Sequence, residues 1–165
     1  MGWKLAGSST NPTLAIAATN ANQTEGNSGS KAFTFTVTRA VNTTGANNVN
    51  WAVTGSGTSA ANATDFVGGV LPSGTVSFAA GETSKVITVN VQGDTTVEPN
   101  ENFTVTLSNP TNGATLGTPS TATVTIVDED SVPFLVKDIY PGSFGPYPSN
   151  LTARGNTLFF TAYDS

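Results

Sequence analysis

Apolar and hydroxyl-bearing side chains alternate along most of this chain. The clearest stretch is Ala32-Phe33-Thr34-Phe35-Thr36-Val37-Thr38, which turns Phe33, Phe35 and Val37 to one side and three threonines to the other. A two-residue period is the sign of a half-buried strand. The same pattern recurs at 13–17, at 49–53 around Trp51, and at 75–78, 86–91, 103–107 and 122–127. Turn-rich segments at 40–48, 68–74, 79–83 and 109–120 separate these runs. The alternation predicts seven short strands and no helix longer than a turn, because no stretch of ten residues repeats its apolar positions at 3.6. Strands of this length and spacing predict an all-β fold, a two-sheet antiparallel sandwich. Phe33, Phe35, Phe78 and Phe103 fall on the inward parity, as does Trp51, which is read as core rather than as a sugar-stacking platform.

The pattern changes after Asp130. Residues 131–165 hold Phe134, Tyr140, Phe144, Tyr147 and Tyr163 outside any strand parity, with Pro133, Pro141, Pro146 and Pro148 among them. Two strands are predicted there, at 135–138 and 157–162, joined by a Pro/Gly/Ser-rich loop. An isolated pair of strands is marginal in water. The tail is therefore expected to pack on the sandwich, to pair with another chain through open strand edges, or to continue into something longer. The reading divides the chain into a leader or linker at 1–11, a sandwich at 12–130 and a tail at 131–165.

Composition sharpens the exclusions. Of 165 residues, 28 are Thr, 17 Gly, 16 Asn and 15 Ser, and the hydrophobic share of 37% suffices for a core. There is no His and no Cys, which argues against a histidine base, a thiol nucleophile, a Ser-His-Asp triad or an ordinary zinc site. A net charge of −5 removes the electrostatic basis for nucleic-acid binding. No run of 18 apolar residues predicts a membrane span, and residues 1–10 lack the apolar stretch of a signal peptide.

The acids are distributed unevenly. Between Lys85 and Lys137 lies no basic residue, yet that interval holds Asp94, Glu98, Glu101, Asp128, Glu129 and Asp130. If the strand at 122–127 pairs antiparallel with the one at 103–107, the end of one lies beside the start of the other. The loop 93–102 then meets Asp128, Glu129 and Asp130 at one tip, and Glu25 could join them. Two readings fit: acids that are simply solvated, or a site for a hard cation. Calcium takes six to eight oxygen ligands and suits loops that offer carboxylates and carbonyls, whereas magnesium demands stricter geometry. Paired carboxylates can also hydrolyse a glycosidic bond. Neither cluster has a Tyr or Trp nearby to line a sugar groove, so no enzyme is expected. Asp65, before Phe66, is read as a turn residue bonding nearby backbone N–H groups.

These residues carry a family resemblance. Thr24-Glu25-Gly26-Asn27-Ser28-Gly29, Ala63-Thr64-Asp65-Phe66, Gly74-Thr75-Val76-Ser77-Phe78 and Ala80-Gly81-Glu82-Thr83 occur in order. They are followed by Glu98-Pro99-Asn100-Glu101-Asn102-Phe103, Val105-Thr106-Leu107-Ser108-Asn109-Pro110 and the run Ala122 to Asp130. Together they make residues 12–130 resemble a Calx-beta domain, the calcium-binding module of sodium–calcium exchangers and of many bacterial surface and secreted proteins. The resemblance implies a seven-stranded, immunoglobulin-like sandwich. It implies calcium ligands at Glu25, Asp94, Glu98, Glu101, Asp128, Glu129 and Asp130. Gly93 stands where a high-affinity site has another aspartate, Glu129 replaces a central aspartate, and Ser56 or Gly57 falls where a further ligand would come. One or two calcium ions of modest affinity are therefore the expectation.

The tail, from Leu135-Val136-Lys137-Asp138 to Leu158-Phe159-Phe160-Thr161-Ala162, resembles the opening of ELWxxDGT-type repeats of bacterial extracellular proteins. The resemblances together imply a calcium-stabilised spacer or adhesive module of a bacterial extracellular or cell-surface protein. In it, Ca2+ orders the tip loops and the link to the next module. Two rivals stand beside it. One is a calcium-independent structural or protein-interaction domain with a degenerate site. The other is carbohydrate binding through Tyr140, Phe144 and Tyr147.

Overall fold

A computed structural model describes residues 10–131 and the backbone of two further strands at 149–154 and 157–161. The chain divides into two compact units, Met1–Asp130 and Ser131–Ser165. In the first unit the strands are β1 Thr13–Ala18, β2 Asn22–Thr24, β3 Ser30–Ala40, β4 Asn47–Ser56, β5 Ser73–Phe78, β6 Ser84–Gln92, β7 Glu101–Ser108, β8 Thr115–Leu116 and β9 Thr121–Val127. The only helical segment among the described residues is a 3-10 turn at Ala63–Asp65. None of their helices is long and apolar enough to cross a membrane.

Two sheets result, ordered β6-β3-β1-β8 and β2-β9-β7-β4-β5. Every segment predicted as a strand in this unit lies in a strand. The two additions are β2 and β8, of three and two residues. Both are too short to show a two-residue period, and both sit at sheet edges, where backbone pairing alone places them. They also correct the expected antiparallel order, since β1 pairs with β8, and β2 with β9, in parallel. The remaining ladders of both sheets are antiparallel.

Inward parity builds the core that the alternation predicts. Phe33 and Phe35 of β3 meet Phe103 of β7 across the sheets at ring-centroid distances of 5.6 and 6.0 Å. Phe66, from the loop that bridges the sheets, meets the same ring edge-on at 5.3 Å. Tilted and edge-to-face contacts of this kind favour the aromatic quadrupoles as well as burying area. Trp51 is half-buried against the core rather than within it. A side chain at Gly74 would press on its indole, 3.0 Å from Nε1.

In the second unit, β10 Ser149–Arg154 pairs antiparallel with β11 Thr157–Thr161. The strand predicted at 157–162 is therefore present, but its partner comes from the segment read as loop. Gly155-Asn156, between the two runs, is a two-residue hairpin signal that the proline-rich surroundings obscured. The strand predicted at 135–138 lies outside the described residues, as do Tyr140, Phe144 and Tyr147.

Candidate metal centre

The antiparallel ladder of β7 and β9 sets Glu101 opposite Ile126, so the start of one strand lies beside the end of the other. The parallel strand β2 supplies Glu25. Thr24 pairs with Val127, and the Glu25 N–H then donates to the Val127 carbonyl at 3.3 Å. Asp65 arrives by a third route. The segment before it docks on β7 through Ala61 N–H to Asn102 O at 3.0 Å, and Phe66 bridges to Val91 of β6.

Two carboxylate triads form at this pole. Glu25, Asp128 and Asp130 make one; Asp65, Glu98 and Glu101 make the other. Within each, one oxygen from every side chain lies within 4.8 Å of the others. Glu25 and Asp65 are the deepest, 6% and 8% exposed. Asp128 ties the triads together, because its Oδ2 accepts the Glu98 N–H at 2.7 Å while its Oδ1 accepts the Asp130 N–H at 2.8 Å. Its own N–H donates to Asn100 Oδ1 at 3.1 Å.

The other predicted ligands sit differently. Asp94 is exposed and outside both triads, with Oδ1 accepting the Thr96 N–H at 2.6 Å. That bond and the Thr96 hydroxyl hold its carboxyl below the usual range. Glu129 also lies outside the triads, though its Oε2 is buried without a hydrogen-bond partner. Ser56 pairs with Asn102 beside Glu101, and its Oγ is likewise buried and unpartnered. Asp65 has the turn role expected of it: its Oδ2 accepts the Asn62 N–H at 2.6 Å and completes a capping box. Its place among Glu98 and Glu101 was not legible locally, since some thirty residues of chain separate them.

The electrostatics follow from this crowding. Burial, reinforced by the charges of Asp94, Glu98, Asp128 and Glu129, pushes Glu25 up to about 7. Burial also raises Glu101 to about 7, helped by a hydrogen bond with Asp65 and by the charges of Asp65, Glu98 and Glu25. Glu98 is raised by burial, then by Asp65, Asp94 and Asp128. The one ion pair among the described residues, Lys85 to Glu82 at 2.7 Å, involves none of these acids.

The donor set fits a hard divalent cation. Asp130 Oδ2 and Glu129 Oε2 are buried oxygens with no hydrogen-bond partner, a state that costs free energy unless something positive meets them. The profile of the Calx-beta domain family matches residues 14–130. This chain belongs to the Calx-beta domain family.

The Calx-beta fold is echoed in solved structures. The apo-form Calx CBD1 domain is 27% identical, with a TM-score of 0.57, and the match covers 71% of this chain and 98% of that one. CBD12 from CALX1.2 is 26% identical with a TM-score of 0.60, covering 72% of this chain. The calcium binding domain CBD12 of CALX1.1 is 28% identical with a TM-score of 0.56, covering 70%. This Calx-beta chain spans 46% and 44% of those two longer proteins. No curated protein matches it.

Proposed function

We propose that this Calx-beta domain binds calcium at its acidic pole, with one ion at each triad, and that it serves as a structural module rather than an enzyme. The observation that carries the reading is the convergence of six carboxylates in two triads, with no cationic side chain paired to any of them among the described residues. Glu25, Asp128 and Asp130 would hold one ion, and Asp65, Glu98 and Glu101 the other. Asp94 and Glu129 stand close enough to raise the Glu25 carboxyl, and they complete the negative field. A bound cation would relieve the repulsion and order the loop between β6 and β7 next to Asp130, where the first unit ends. The family membership and the titles of the solved relatives support calcium as the ion; the tail's resemblance supports an extracellular or cell-surface setting in a bacterium and a spacer or adhesive role.

Thermal melts in calcium, magnesium and chelator, with isothermal titration on the same sample, test this. A calcium-specific rise is expected, reduced in Glu98→Gln and in Asp128→Asn and lost when the two are combined. No shift at millimolar calcium would instead support the second reading, a calcium-independent structural domain. That reading is favoured by one observation, that the expected ligand Asp94 is exposed and outside both triads.

A further inference from the structure

Gly93 directly follows β6 and faces the loop that carries Glu25. A Cβ at this position would lie 2.1 Å from the Gly26 carbonyl oxygen and 2.9 Å from that of Glu25. Both atoms are backbone, so neither can swing aside as a side chain would. The glycine is needed for space: its φ lies outside the left-handed region that would demand it for conformation. Around this contact the Gly93 N–H donates to Gly29 O at 3.1 Å. Gln92 Nε2 donates to the same carbonyl at 2.8 Å and to Gly93 O at 3.1 Å. On its far side the loop is held by the Glu25 N–H on Val127.

Residues 25–29 are thus clamped between the end of β6 and the end of β9 by backbone and Gln92 bonds, and Asn27 Nδ2 adds a bond to Asp130 Oδ1 at 2.5 Å. What the clamp positions is Glu25. Glu25 is 6% exposed, and one of its carboxylate oxygens lies within 4.8 Å of an oxygen each of Asp128 and Asp130. In the same triad, Asp130 Oδ2 is buried with no hydrogen-bond partner, and such an oxygen points to a ligand.

We infer that Gly93 is a positioning residue for the Glu25 triad: by admitting the Gly26 carbonyl where a side chain would stand, it sets the Glu25 carboxylate and so governs one calcium centre apart from the other. The inference rests on the calcium reading above. It also explains why an aspartate at 93 would not simply add a ligand here, since its Cβ would expel the loop that already brings Glu25. The second triad hangs on the 3-10 turn, the start of β7 and the loop before it, and makes no bond to Gly93.

The test compares wild type, Gly93→Ala, Glu25→Gln and their double variant by calcium titration, with amide hydrogen exchange recorded in chelator. In chelator, Gly93→Ala should lose protection at the amides of residues 25 and 93, while the core amides of β7 keep theirs. Its titration should show the event that Glu25→Gln removes weakened at least about tenfold, the scale of a supporting-shell loss. In the Glu25→Gln background, Gly93→Ala should change calcium binding no further, a non-additivity that a general loss of stability would not produce. Should Gly93→Ala fail to fold, Gln92→Ala, which leaves the space intact and removes two bonds to the clamp, should weaken the same event. Wild-type protein that takes up no calcium fails the underlying reading. Calcium uptake by wild type and by Gly93→Ala (or Gln92→Ala) with equal affinity overturns the inference alone.

Discussion

The sandwich buries charge at both ends and treats the two ends in opposite ways. β3 begins at Ser30, paired with Gln92 near the acidic pole, and ends about 30 Å away beside Arg39. Arg39 is 2% exposed and has no carboxylate on its guanidinium. Its nitrogens donate instead to Glu82 O at 2.8 Å, Gly45 O at 2.6 Å, Asn47 Oδ1 at 2.9 Å, Thr43 O at 3.2 Å and Ala79 O at 2.7 Å. The guanidinium also lies 5.2 Å above the Phe78 ring. Neutral dipoles from two loops and the start of β4 satisfy the cation, and the loops are organised by doing so. Glu82, close by, is held low first by its bond to Lys85 and then by the Ala79 N–H.

At the acidic pole the count runs the other way. The carboxylates outnumber the N–H donors that reach them, and Glu25, Glu98 and Glu101 are all raised. A buried charge wrapped in dipoles is architecture. Buried carboxylates with unused lone pairs are the contrast to it, and it is on them that the calcium proposal rests.

Four experiments would break or sharpen this contrast. The largest effect should come from Arg39→Ala, which strips the donors from several buried acceptors at ~1–3 kcal/mol each and should cost ~3–5 kcal/mol in chemical denaturation. Arg39→Lys should not restore it, because an ammonium cannot match the guanidinium's five fixed donors. Neither change should alter calcium affinity; a large change in affinity would mean the poles are coupled.

Next in size is the calcium effect itself. Ion at ~100 times its dissociation constant should add ~2.7 kcal/mol per site. The total should persist in Arg39→Lys and fall by one site's share in Asp128→Asn. An equal increment in Asp128→Asn would move the ion away from this pole.

The pH dependence should be smaller and of opposite sign with and without the ion. Glu25 and Glu101 have folded-state values of about 7 against 4.5 for an ordinary glutamate. A raised acid contributes stability that is complete below the unfolded value and lost as pH rises through the folded one. In chelator the melting temperature should therefore climb as pH falls from about 8 towards 4.5, most steeply between the two values. In calcium it should fall over the same range, because protons and ions compete for the same oxygens. Parallel slopes in the two buffers would show that these glutamates do not touch the ion.

The smallest effect belongs to Val41, beside Arg39. It is 64% exposed and held at a φ of 74°, where a β-branched residue is strained. Val41→Gly should raise stability by about 1 kcal/mol, read from the denaturation midpoint, and leave calcium binding unchanged.

Much of this was readable beforehand. Alternation around Phe33, Trp51 and Phe103 placed the strands and their inward faces, since a period of two assigns parity without any knowledge of neighbours. The absence of Lys and Arg between Lys85 and Lys137 marked out the acids, and the pairing of the last two long strands brought Glu101 towards Asp128. Glu25 was the harder case. Its route to the pole is β2, three residues with no apolar period, whose place depends on a parallel ladder with β9. Asp65 showed its capping role in the local spacing but not its position beside Glu98. Gly93 read as a missing ligand, whereas its neighbours give it a steric task.

The sequence by itself determined the fold class, the core face of each long strand and the pole where negative charge gathers, because periodicity and charge spacing are properties of the chain. Only the tertiary structure decided that the acids divide into two triads, which oxygens are left without donors, and why position 93 must lack a side chain. Those depend on distances between segments far apart in the chain, set by packing and edge pairing that no local pattern encodes.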